Sequence, residues 1–93
     1  MSRVEAIEDI LRRAFAPIHL TIADESDRHR GHAGAAGGGG HFRATIVSES
    51  FRGLNAVARQ RAVYQALGDA MRGEIHALSL QTLTPEEWQR KRG

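Results

Sequence analysis

Residues Gly31-His32-Ala33-Gly34-Ala35-Ala36-Gly37-Gly38-Gly39-Gly40 form a run of glycine and alanine broken by one histidine, and they hold six of the chain's ten glycines. Ordering such a run costs much backbone entropy, and its side chains bury too little surface to offset that cost. No apolar periodicity survives from Asp24 to Gly40, so residues 25–40 are expected to be one mobile loop. The core must then come from the blocks on either side. A loop of this length inside a compact domain is often functional.

The block before the loop opens with Ser2 as an N-cap and Glu5 three residues on, the spacing of a capping box. Val4, Ile7, Leu11 and Ala14 fall on one helical face with Ile10 beside it, and Pro17 stops continuation. This predicts an amphipathic helix over 3–15. Ile18, Leu20 and Ile22 then alternate with His19, Thr21 and Ala23, predicting a strand with His19 on the face opposite the apolar residues.

After the loop, His41 to Ser48 alternates again, with Phe42, Ala44 and Ile46 on one face. This second strand is expected antiparallel to the first. Phe51-Arg52-Gly53-Leu54 reads as a turn, and Asn55 can cap a helix running through about Met71. Val57, Tyr64, Leu67 and Met71 recur in it at helical spacing, joined by Val63, Ala66 and Ala70, and Gly73 lies just past its end. Ile75 to Thr82 predicts a third strand. Thr84-Pro85-Glu86-Glu87-Trp88 predicts a short terminal helix, with its cap, its proline at the first position and its acids in the first turn. The fold class is α+β: one domain over 1–93, with helices on one face of a three-stranded mixed sheet.

With 93 residues the chain has room for one domain and a small core. No apolar run approaches the length of a membrane span, no signal peptide is read, and a cytoplasmic protein is expected. The absence of cysteine excludes disulfides, a thiol nucleophile and a thiolate metal site supplied by this chain alone. The pI of 9.9 overstates basicity: twelve of thirteen basic residues are Arg, and the formal net charge is only +2. That is too weak to argue for nucleic acid by itself.

No nucleophile–base–oxyanion set is visible, so no enzyme is expected. Gly34-Ala35-Ala36-Gly37 has the Gly-x-x-Gly spacing of KH modules, but there it joins two helices and here it joins two strands. Five histidines carry more weight. His29 and His32 lie in the loop, His41 begins the second strand, His76 begins the third, and His19 lies in the first. Each alone also fits a surface or packing histidine. A loop histidine able to swing toward a strand-end histidine could fill part of a metal's coordination, and imidazole does ligate [2Fe-2S] iron in Rieske-type centres. Arg59, Arg61, Arg72, Arg90, Lys91 and Arg92 make either a solvated surface or one that contacts phosphate or an acidic partner.

Several stretches together resemble the BolA family over about Val4 to Trp88. They are Gly40-His41-Phe42-Arg43 with Ile46-Val47-Ser48, Phe51-x-Gly53, and Arg59-x-Arg61-x-Val63-Tyr64-x-x-Leu67. They continue with Ile75-His76-Ala77-Leu78-Ser79-Leu80 and Thr82-x-Thr84-Pro85-Glu86-x-Trp88. The resemblance implies a class II KH-like fold with an α-β-β-α-α-β core, a short helix preceding the longer one, and a short C-terminal helix. It implies a monothiol glutaredoxin partner and a [2Fe-2S] cluster shared with glutaredoxin and glutathione, with a role in iron homeostasis, cluster trafficking and stress response. The isolated chain would hold no cluster and would be a monomer or weak homodimer.

By motif match the ligands carried over are His76 and a loop histidine: His32, nine residues before His41 and followed by Ala33, with His29 in reserve. His41, Arg59 and Arg61 are the residues carried over for partner or nucleic-acid binding. The family commonly reads Arg-His-Arg in the long helix, and here Arg59-Gln60-Arg61 replaces it. BolA proteins are also called transcriptional regulators, so the alternative implied function is DNA binding through a KH-like helix-turn-helix.

Overall fold

The structure, a computed structural model, describes residues 2–25, 40–73 and 75–92, with residues 72, 73 and 76 described by backbone position alone. The elements run α1 (Arg3–Phe15), β1 (His19–Asp24), β2 (Gly40–Val47), a 3-10 turn (Glu49–Phe51), α2 (Ala56–Leu67), α3 (Ala70–Gly73), β3 (Ile75–Leu83) and α4 (Pro85–Arg92). This is the expected α-β-β-α-α-β order with α4 appended. The short helix follows the longer one instead of preceding it; what precedes α2 is the single 3-10 turn.

β2 is the central strand, antiparallel to β1 and parallel to β3. Parallel neighbours cannot be joined by a tight turn, so the chain leaves β2 and returns to β3 through the 3-10 turn, α2 and α3. Ile7, Leu11 and Phe15 of α1 meet Phe42, Ala44 and Ile46 of β2 and Val63 and Leu67 of α2 in one core. α1, α2 and α3 occupy one face of the sheet, and Trp88 of α4 reaches His19 on the other. The opposite face of β2 carries His41, Arg43 and Thr45 by strand alternation.

The boundaries of α1 follow from its ends. Ser2 and Glu5 form the reciprocal capping box, with bonds of 3.1 and 3.2 Å. Ala16 closes the helix in the left-handed conformation just before Pro17. On the outer face Arg12–Glu8 and Arg13–Asp9 pair one turn apart. Ala14, expected on the inner face, is exposed, and Phe15 takes its place in the core.

Asn55 caps α2 as predicted, accepting from the Ala58 N–H at 2.9 Å. The helix ends at Leu67 instead of running to Met71, because Gly68 takes a positive φ of 51° and breaks the turn. Val63 and Leu67 point into the core, with Ala62, Ala66, Ala70 and Met71 packed against it. Val57 and Tyr64, expected on the same side, face outward. Ile18 is also exposed, because β1 begins one residue after it.

Ser48 joins four segments where β2 ends. Its hydroxyl donates to the Phe15 carbonyl at 2.6 Å and accepts from the Ser50 N–H at 3.0 Å. Its own N–H donates to the Leu83 carbonyl at 2.9 Å, and its carbonyl accepts from the Phe51 N–H at 3.2 Å. The residue is only 1% exposed. Ser48→Ala leaves the C-terminal carbonyl of α1 without this donor in a dry site. Chemical denaturation should show a loss of about 1–3 kcal/mol. A loss below about 0.5 kcal/mol, the low end for a typical hydrogen bond, would contradict this role.

Candidate functional site

The site begins at an irregularity in the β2–β3 ladder. Gly40 pairs with Ile75 and His41 pairs with Ala77, so His76 is the extra residue of a β-bulge. Bulges bend a strand locally and occur preferentially beside functional sites. After the bulge, Phe42 pairs with Leu78 and Arg43 with Ser79, and the regular register continues to Val47 and Leu83. The backbones of His41 and His76 are therefore neighbours at one end of the sheet.

Gly40 is glycine because the Phe42 ring folds over it. A Cβ built there would lie 2.4 and 2.6 Å from two ring carbons of Phe42, and 3.1 Å from the Arg3 guanidinium. Phe42 belongs to the core and cannot easily yield. At the same end the Glu25 N–H donates to the His41 carbonyl at 2.7 Å. Gly40, expected in the loop, is the first residue of β2, and Glu25 is anchored to β2 as well. Both attachment points of segment 26–39 thus lie beside the bulge. His29 and His32 fall within that segment and lie outside the described residues, as does the expected mobility of the loop.

His41 is half-buried, with its Nε2 shielded from solvent. Beside it on the open sheet face, Arg43 approaches Glu25 at 3.6 Å. Further along, Arg43, Thr45, Ser79 and Gln81 line a shallow polar depression. His19 belongs elsewhere. It pairs with Val47, six residues along β2 from His41, or about 20 Å at strand rise. There it stacks on Trp88 with ring centroids 4.5 Å apart, and the Arg92 guanidinium sits 5.6 Å from that indole. Among the described residues, no group of three or more His, Asp or Glu side chains is placed to hold a metal ion.

The two arginines of the long helix have different fates. Arg59 is 13% exposed and its guanidinium turns into the fold. It donates to the Leu54 carbonyl at 2.8 Å, the Thr82 carbonyl at 3.2 Å and the Glu87 carboxylate at 2.7 Å. Read from sequence as a partner or nucleic-acid contact, Arg59 instead ties α2 to β3 and α4. Arg61 is exposed, with no partner among the described residues.

Glu87 also forms a capping box with Thr84: the Thr84 N–H donates to it at 2.8 Å, and the Glu87 N–H donates to the Thr84 hydroxyl at 3.3 Å. Hydrogen bonding to Arg59, then to the Thr84 N–H, holds its carboxyl down at about 2. Arg52 similarly bridges Glu49 and Glu86 and lowers both carboxyls. As acids in the first turn of α4, Glu86 and Glu87 also complement its dipole. The Thr84-x-x-Glu87 spacing was the signal for the box. Nothing in the sequence pattern signalled the bulge or the Arg59 contacts.

A family model described as BolA-like protein matches residues 11–87. A relative from Vibrio cholerae named DNA-binding transcriptional regulator BolA is 44% identical, over 91% of this chain and 77% of that protein. Its namesake from Escherichia coli is 40% identical, over 91% of this chain and 78% of that one. The solved structure of BolA1 from Arabidopsis thaliana superposes with a TM-score of 0.81 at 38% identity, covering 94% of this chain and 96% of the other. The two bacterial relatives are named as regulators and not as enzymes. Among the described residues no helix is long and apolar enough to cross a membrane.

Two outcomes follow from this geometry. Gly40→Ala forces the Phe42 ring from the core and should cost about 1–3 kcal/mol, with amide shifts at His41 and Ala77. Wild-type stability with an unmoved spectrum would show that the close approach does not set the register. The depressed Glu87 carboxyl contributes stability that is present above the ordinary carboxylate value and is lost as pH falls through about 2. Glu87→Gln should therefore flatten the dependence of the denaturation midpoint on pH between about 5 and 2. An unchanged slope would remove Arg59–Glu87 from the list of stabilising contacts.

Proposed function

The chain belongs to the BolA-like family, and on that premise we propose that it is an adaptor that binds a monothiol glutaredoxin and co-ligates a shared [2Fe-2S] cluster. Its setting is the cytoplasm, in cluster trafficking, iron homeostasis and stress response. The observation that carries this reading is the convergence at one end of the sheet: the bulge with His76, the neighbouring His41, and both anchors of the segment with His29 and His32. His32 is seven residues from Glu25 and eight from Gly40. An extended chain of that length spans about 25 Å, so His32 is tethered within range of the bulge from either side.

The donor set points the same way. This chain offers imidazoles and no thiolate, so the sulfur ligands come from the glutaredoxin and from glutathione. His76 and His32 are the proposed ligands, with His29 in reserve. A neutral imidazole in place of a thiolate leaves less negative charge on the iron it binds and raises its potential, as in Rieske-type centres. His41, paired with Ala77 beside the bulge, is the proposed partner contact at this end of the sheet.

A second reading is favoured by the names of the bacterial relatives: a DNA-binding transcriptional regulator. In this chain its phosphate contact would be the exposed Arg61 and not Arg59. If DNA is bound this way, Arg61→Ala should lower the slope of log affinity against log salt by about 1.

The cluster reading is tested by reconstitution with monothiol glutaredoxin, glutathione, iron and sulfide. The mixture should show a visible absorption and dichroism spectrum distinct from that of glutaredoxin alone, and His76→Ala should abolish the difference. His32→Ala should alter it more than His29→Ala does. A heterocomplex spectrum untouched by His76→Ala would remove His76 from the ligand set.

A further inference from the structure

We infer that the open face of the sheet binds glutathione directly, with Arg43 taking its glycine carboxylate. The inference rests on the cluster reading only in the choice of a thiol tripeptide as occupant. The site itself follows from the sheet.

Strand register explains why the face is hollow here. Residues directly opposite each other on neighbouring strands share a face. Arg43 lies between Ala23 and Ser79, Thr45 between Thr21 and Gln81, and His41 beside Ala77. A long side chain at the centre of the face is thus ringed mostly by short ones. The hollow beside it has a volume of about 440 Å³ and is lined by Arg43, Thr45, Ser79 and Gln81, with the strand at Leu80. That volume falls within the ~300–1,000 Å³ of small-molecule sites. The His19–Trp88 stack bounds the face at one end, and His41 lies toward the other.

The polar groups in the hollow are available to a ligand. The Thr45 hydroxyl donates to Gln81 Oε1 at 3.4 Å. This leaves the Gln81 amide nitrogen as a donor and the Thr45 oxygen as an acceptor. Arg43 Nε is 3.6 Å from Glu25, beyond hydrogen-bond length. Its side chain is 64% exposed, and its two terminal nitrogens meet no acceptor among the described residues. Arg52 and Arg59, by contrast, hold carboxylates in direct hydrogen bonds. A loose surface pair contributes little, so the Arg43 fork can turn to a planar carboxylate that arrives with more partners.

Charge and length select the occupant. A nucleic-acid backbone draws its affinity from several cations, and this hollow offers one, with Glu25 beside it. A ligand with one net negative charge and peptide groups suits that balance. Glutathione carries two carboxylates and one ammonium at neutral pH. Its γ-glutamyl end is zwitterionic and would bring the ammonium toward Arg43, so the glycine carboxylate is the better partner. Arg43 lies two residues, about 7 Å, along β2 from His41. An extended tripeptide spans about 10 Å. Anchored at Arg43, it has the length to carry its central thiol to the histidine end of the sheet.

The test titrates the nitrogen-15-labelled full chain, free of iron and glutaredoxin, with reduced glutathione at constant ionic strength. The expected result is a saturable shift of the Arg43, Thr45, Ser79 and Gln81 amides, with an affinity in the millimolar range. S-methylglutathione should bind equally well, because the thiol is not used. The glycine ethyl ester of glutathione should bind roughly tenfold more weakly, and Arg43→Gln should weaken glutathione by about as much. Ser79→Val fills part of the hollow and should also weaken it. Both substituted positions are exposed, and an unchanged thermal midpoint will show that each variant is folded. Open-face amides that do not move, or an affinity indifferent to Arg43→Gln, would overturn the proposal. So would acetate producing the same shifts at the same concentration, since the hollow would then hold a bare carboxylate and not the tripeptide. The cluster reading fails separately, at the His76→Ala spectrum. A spectrum that depends on His76 with an open face blind to glutathione would sink this inference alone.

Discussion

Parallel pairing between β2 and β3 is the constraint from which the architecture follows. A parallel partner must be reached by a crossover, and the crossover here carries α2 and α3 onto the face already covered by α1. The other face of the sheet carries His41, Arg43 and Thr45 of β2 beside Ser79 and Gln81 of β3. The same pairing fails to run evenly at its first step, where one residue of β2 spans two of β3. The extra residue is His76. Gly40 holds the step in place, because only a residue without a Cβ lets the Phe42 ring close over the backbone. A core packing contact thus sets the strand register on which the candidate ligand position depends.

The two ends of the sheet are built differently. At the far end, Ser48 gathers α1, β3 and the 3-10 turn through buried hydrogen bonds. Nearby, Arg59 and Arg52 lash α4 to the body, and Trp88 covers His19. Polar groups there are satisfied internally, and this end is a scaffold. At the near end the chain departs from Glu25 and returns at Gly40, beside the bulge. In the proposed ligation, one donor comes from a strand-end residue set by the sheet and the other from the segment tethered beside it. That division suits ligation in which the remaining donors arrive on another molecule.

Legibility in the sequence tracked how local the determining interaction was. α1 was readable to the residue, because the Ser2–Glu5 box and Pro17 mark both of its ends. The third strand and α4 were readable for similar reasons. α2 was readable as a helix, but its end was not: the pattern carries it to Met71 with Gly73 beyond, and only the backbone conformation of Gly68 shows that it stops at Leu67. Its inner face was misassigned at Val57 and Tyr64, since apolar residues at helical spacing occupy both sides and periodicity cannot say which side meets the sheet. His76 was singled out by its place in a family motif. Its position in a bulge was invisible, because a bulge is a relation between two strands far apart in sequence. Arg59 looked like surface charge for the same reason: its acceptors at Thr82 and Glu87 are 23 and 28 residues away.

The proposed ligation by this chain can be observed at the iron itself. Histidines of this chain alone are labelled with nitrogen-15, and the complex is assembled with unlabelled glutaredoxin and glutathione. The cluster is then reduced by one electron, and pulsed electron paramagnetic resonance is recorded. The account predicts a nitrogen-15 hyperfine coupling of the strength of a directly bonded imidazole, lost when His76 is replaced by Ala. A reduced cluster in the intact heterocomplex with no such coupling would contradict it.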